Sequence, residues 1–163
     1  MASFEFLAII FTGLGLTASI TYYAMVLRNA NKTRQTQLFM NLYQVYMSKE
    51  FRTNYNKILL EYDWTDPQDF WNKYGSENNM ESFTEQSTVI AFFEGIGHLI
   101  KRGELDLGSY YGLLGRPLML IYEKLEVVFD WYVGKIGYHP YPYYLYLYRR
   151  TIEYKERHPD LSP

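Results

Sequence analysis

Glu94, His98 and Arg102 stand four residues apart, so a helix through them would carry all three on one face. A carboxylate and an imidazole at that spacing are able to hold a divalent cation. A catalytic zinc site, however, draws three ligands from the protein and leaves one position open, and this face offers only Glu94 and His98, because a guanidinium is no ligand. The preferred reading is structural. Glu94 is expected to bond an Arg or a Tyr elsewhere in a helical bundle and to fix how helices meet, with Arg102 as a second structural charge. Gly95 and Gly97, between them, are expected to make room for a neighbouring backbone. No glycine-rich loop follows a strand pattern, so a phosphate cradle is unsupported. The chain has no cysteine, which excludes disulfides, thiolate nucleophiles and cysteine-ligated metals. No catalytic residue and no cofactor are therefore assigned.

The element that would carry this face runs from Met80 to Arg102, where Phe83, Ser87, Ile90 and Glu94 recur at helical spacing and Gly103 is the stop. Upstream, Ser48 is a suitable N-cap for a helix to about Glu61. Asp66-Pro67 opens a short helix that Gly75 ends, and 75–79 reads as a loop. Downstream, Asp106 caps a short helix through Leu114. Gly115-Arg116-Pro117 then introduces a long helix with Leu118, Ile121, Leu125, Val128 and Tyr132 as its apolar stripe, ending at Gly137. A last helix follows His139-Pro140-Tyr141-Pro142 and ends near His158-Pro159. No alternating strand pattern and no internal repeat stand out, so the fold class is all-α.

The N-terminal segment differs in kind. From Phe6 to Leu27 there are 22 residues without a charge, and Arg28, Lys32 and Arg34 follow. At a rise of about 1.5 Å per residue such a helix reaches roughly 33 Å, enough for a hydrocarbon layer of roughly 30 Å. Apolar or small side chains on every side leave no face for water. A cleaved signal peptide fits less well, because no basic side chain precedes the run and Glu5 is acidic. The expected organisation is a transmembrane helix at 4–27, a juxtamembrane helix at 28–48, a helical domain at 49–158 and a tail at 159–163. The flanking basic residues place the N-terminus outside and the domain in the cytoplasm. Within the anchor Ala8, Thr12, Gly15 and Ser19 share one side, a surface on which another helix is able to approach closely.

The stretch Phe92-Phe93-Glu94-Gly95-Ile96-Gly97-His98-Leu99-Ile100-Lys101-Arg102-Gly103-Glu104-Leu105-Asp106 resembles the central pattern of a family of membrane-anchored helical proteins, domain of unknown function 4760. The resemblance extends from the juxtamembrane helix to about Tyr154. It implies one anchored helical domain, and it transfers no catalytic residue.

Sixteen of the eighteen tyrosines and all three tryptophans lie after the anchor and make that region a folding domain rather than a disordered tail. The tyrosine-rich run from Tyr138 to Arg150 fits packing within the domain, and secondarily a membrane or partner contact. A formal net charge of −2 gives no general reason to expect nucleic acid. The expected function is that of an interaction, scaffold or accessory subunit at the membrane, with the lipid bilayer and a homo-oligomer or larger membrane complex as partners. The alternative is a small-ligand or metal-binding sensor or enzyme built on the Glu94/His98 face.

Overall fold

The computed structural model describes residues 2–161, and the side chains of Ala2, Ser3, Leu7 and Ala8 lie outside that description. Among the described residues the chain is all-α, with no strand. Its helices are α1 (Ala2–Met47), α2 (Lys49–Asn56) continued by a π-helical turn (Lys57–Glu61), α3 (Pro67–Tyr74), α4 (Met80–Lys101), α5 (Leu107–Ile136) and α6 (Pro142–Arg157). The chain divides into two compact units, Met1–Leu38 and Phe39–Pro163.

The first unit is helix alone. α1 is long and apolar enough to cross a membrane, with a mean hydropathy of 1.6 over its most apolar window, none of which is buried. Its hydroxyls are turned back onto the backbone: Thr17 Oγ1 donates to Gly13 O at 2.9 Å, Ser19 Oγ to Gly15 O at 2.8 Å and Thr21 Oγ1 to Thr17 O at 2.9 Å. In an apolar solvent this matters, because an unpaired hydroxyl there has no water to turn to.

The second unit has an aromatic-rich core drawn from every helix. The end of α1 contributes Tyr46, α2 contributes Phe51 and Tyr55, α4 contributes Val89, Phe93 and Ile96, and α6 contributes Tyr144 and Leu147. Helix starts follow local chemistry. Ser48, Asp66, Asn79 and Asp106 each accept the backbone N–H three residues on, at 3.2, 2.9, 3.0 and 2.7 Å. After α4, Gly103 takes φ +71°, and Glu104 N–H reaches back to Leu99 O at 2.9 Å, a Schellman closure that needs the left-handed conformation.

One expectation fails. The break at Gly115-Arg116-Pro117 does not exist, and α5 runs unbroken through Pro117 for 30 residues. Proline removes the donor for the carbonyl four residues back, that of Leu113, and Leu113 is half exposed, on the side of the helix away from the core. On the buried side three tyrosine hydroxyls donate to carbonyls around the proline: Tyr110 to Leu114 O at 3.2 Å, Tyr55 to Pro117 O at 3.1 Å and Tyr144 to Leu118 O at 3.3 Å. Burial holds Tyr110 and Tyr144 well above the usual phenol range and pushes Tyr55 up to about 12, so all three remain donors. Packing of the residues on both sides of the proline, with Tyr110, Leu114, Leu118 and Ile121 all in the core, thus holds the helix across a residue that would end it locally.

Candidate functional site

The sequence-level candidate face on α4 is the seat of α6. Gly97 is buried, and a Cβ there would stand 2.0 Å from Tyr143 O and 2.6 Å from Tyr143 C, so the α6 backbone lies directly against it. Gly95 differs from expectation: a Cβ at that position meets nothing within 4 Å, and no backbone uses the space. Beside Gly97, Phe93 stacks on Tyr144 with ring centroids 5.4 Å apart.

Glu94, His98 and Arg102 share the face but have separate partners. Glu94 Oε2 accepts the backbone N–H of Tyr144 at 2.6 Å. Helix α6 starts at Pro142 and its N-cap residue, Tyr141, offers no side-chain acceptor. Glu94 therefore supplies, from another helix, the carboxylate that the start of α6 lacks, at the positive end of that helix. The expected Arg or Tyr side-chain partner is replaced by a backbone amide. The His98 ring meets Tyr143 edge-on at 4.8 Å. Arg102 Nε bonds Glu104 Oε1 at 2.8 Å. Among the described residues no three His, Asp or Glu side chains gather as a metal-binding group. Asp106 caps α5, and Glu123 is exposed.

A second remote cap went unread in the sequence. Lys124 of α5 donates its ammonium to Leu59 O and Tyr62 O, both at 2.8 Å, and sits 5.2 Å from the Trp64 ring centroid. These carbonyls belong to the π-helical turn and its end, where Tyr62 N–H bonds Lys57 O at 2.9 Å. A cation at the C-terminal end of a helix is favourable, and burial lowers the Lys124 pKa only against that attraction and the nearby Asp63. The missing Ser, Thr, Asp or Asn before Pro142 was the legible sign that α6 needs such help; no comparable sign marked Lys124.

The tyrosine-rich run is divided between core and surface. Tyr144 and Leu147 are wholly buried, whereas Tyr138 is 67% exposed. Lys101 Nζ lies 5.1 Å from the Tyr143 ring and 5.7 Å from the Tyr146 ring. Tyr122 stacks on Tyr148 at 4.0 Å and on His139 at 6.3 Å, and burial pushes its hydroxyl up to about 12.

His139 is the titratable group most exposed to a pH argument. Its Nδ1 accepts the Tyr141 N–H at 3.0 Å, which leaves the proton on Nε2 in the neutral ring. Burial lowers its pKa from the ordinary 6.5. The unfolded chain then binds the proton first, so stability is full above about pH 6.5 and is lost as pH falls through the lower folded value. Chemical denaturation at a series of pH values is expected to show this decline between pH 7 and the acidic limb, and His139→Gln to flatten it. An unchanged slope in the variant would assign the decline to another group.

A cavity of about 30 Å³ lies among Phe70, Gln86, Leu125, Phe129, Tyr132 and Tyr141. That is room for about a water molecule, against the several hundred Å³ of ordinary small-molecule sites. An open acidic groove of about 380 Å³ lies along Glu50, Asn54, Glu81 and Glu85, where Lys57 pairs with Glu85.

Of the small-residue surface in the first unit, Ala8 lies outside the described side chains. A Cβ at Gly15 would meet nothing within 4 Å, and the Ser19 hydroxyl is bonded to the Gly15 carbonyl. Thr12, Gly15 and Ser19 are all exposed. No family model, curated protein or solved structure matches the chain.

Proposed function

We propose that the chain is a single-pass membrane-anchored helical protein whose domain works as an interaction module, a scaffold or accessory subunit that assembles with itself or joins a larger membrane complex. The observation that carries this reading is the N-terminal part of α1, apolar on every side with none of its most apolar window buried. Such a surface is stable in lipid and costly in water. The placement of two charged side chains supports the same reading, since Glu94 and Lys124 are used at helix ends. The likeness of residues 92–106 to domain of unknown function 4760 belongs to this proposal and assigns no chemistry.

Arg28, Lys32 and Arg34 follow the apolar run, and the positive-inside rule puts them and the domain in the cytoplasm. Protease added to intact cells is expected to spare everything from Thr33 onward and to digest it after lysis. Digestion of the domain without lysis would reverse the orientation.

A further inference from the structure

Helix α5 carries an unpartnered stripe on its solvent side. Leu113, Leu120 and Val127 follow at seven-residue steps and are 50%, 37% and 59% exposed. Gly134 continues the series, exposed, with nothing within 4 Å of a Cβ built on it. Glycine inside a helix is less favourable than alanine, and no described neighbour in this chain requires one there. Beside the stripe, also at seven-residue steps, stand Arg116, Glu123 and Asp130, all exposed and without an ion pair among the described residues.

We infer that this face of α5 pairs with the same face of a second copy of the chain, in antiparallel orientation. Seven-residue spacing keeps one side of a helix turned toward a partner helix along its length, here over roughly 32 Å. Charge then selects the partner and its direction. Parallel pairing would put the two copies of the flank that carries Arg116, Glu123 and Asp130 on opposite edges of the seam, where Arg116 meets no Asp130. The series from Leu113 to Gly134 is symmetric about the bond between Glu123 and Lys124. Antiparallel pairing about that point therefore places Leu120 on Val127 of the second copy and Leu113 on its Gly134, and brings Arg116 beside its Asp130, all twice over. Glycine opposite leucine lets the helix ends close. One repulsive contact remains, Glu123 near its own copy at the axis. The inference rests on the reading of the domain as an interaction module and names the partner.

Because the chain has no cysteine, the pairing is testable by cross-linking the full-length protein in membranes and in mild detergent. The double variant Leu120→Cys, Val127→Cys is expected to form a disulfide dimer on oxidation, since the two sites of one chain are about 10 Å apart along the helix, too far to bridge internally. Each single variant is expected to stay unlinked, and mixing the two singles to give the heterodimer. Arg116→Asp is expected to weaken dimerisation about tenfold, and Asp130→Arg added to it to restore pairing. Glu123→Gln is expected to strengthen it. Self-linking by Leu120→Cys alone would overturn the antiparallel arrangement, and a monomeric mass in both media would overturn the pairing. So would a different protein bound at Leu120 to an otherwise monomeric chain. Membrane sedimentation of the same samples separates the two claims: a monomer that still sediments overturns the pairing alone, while a dimer that does not sediment keeps the pairing and overturns the anchor.

Discussion

Gly97→Ala lowers stability by about 3 kcal/mol, a fall of roughly 10 °C in Tm, while Gly95→Ala, two residues away in the same helix, raises it by about 0.5–1 kcal/mol. The opposite signs come from what a methyl group meets. At Gly97 the new Cβ falls 2.0 Å from the Tyr143 carbonyl oxygen, a backbone atom that cannot swing aside, and α6 must move off α4. At Gly95 it meets nothing within 4 Å, so only the gain from restricting the unfolded chain and from better helix propensity remains. Thermal unfolding followed by circular dichroism measures both. Equal Tm shifts in the two variants would remove the α4–α6 contact from the account. At the same junction Glu94→Ala strips the cap from α6 and costs about 1–2 kcal/mol, whereas Glu94→Gln keeps an acceptor oxygen and loses less. A stoichiometric divalent ion present in the parent and absent from the Glu94→Gln variant would restore the metal-binding reading of Glu94 and His98.

Deleting residues 2–27 moves the protein from the membrane pellet to the supernatant, the largest change in behaviour expected of any variant. The same shift is expected, less completely, when arginine replaces both Leu14 and Leu16, since each arginine near the centre of a spanning helix costs roughly 2.5–3.5 kcal/mol of insertion. Resistance of the parent to alkaline carbonate extraction, lost in both variants, is the measurement. The remaining domain is expected to keep its helical spectrum, because its buried core begins at Tyr46. A deleted protein that stayed in the pellet would place the membrane contact in the domain itself.

Much of this architecture is determined by local chemistry. Ser48, Asp66 and Asp106 start helices where a side-chain oxygen takes an amide three residues ahead, and Gly103 and Gly137 end them at φ +71° and +81°. Those are properties of a few adjacent residues and are legible without a fold. The apolar run of α1 is equally local, since a helix with no polar side has the same solvent requirement wherever the chain goes next. The buried stripe of α5 was legible for the same reason, as Leu118, Ile121, Leu125 and Val128 repeat at helical spacing and all lie in the core.

Pro117 shows where that reach ends. By local rules it opens a helix, yet α5 passes through it because the residues on either side of it, Tyr110, Leu114, Leu118 and Ile121, are packed in the core against other helices. The capping of α6 by Glu94, and of the π-helical turn by Lys124, likewise depends on which helices touch. Spacing put Glu94, His98 and Arg102 on one helical face, where they suggested a polar site. What each does there was decided by its neighbours: a backbone amide for Glu94, the Tyr143 ring for His98 and Glu104 for Arg102. Periodicity along a chain determines which side chains point the same way, but the free energy of a buried charge or a broken helix depends on partners that only tertiary packing supplies.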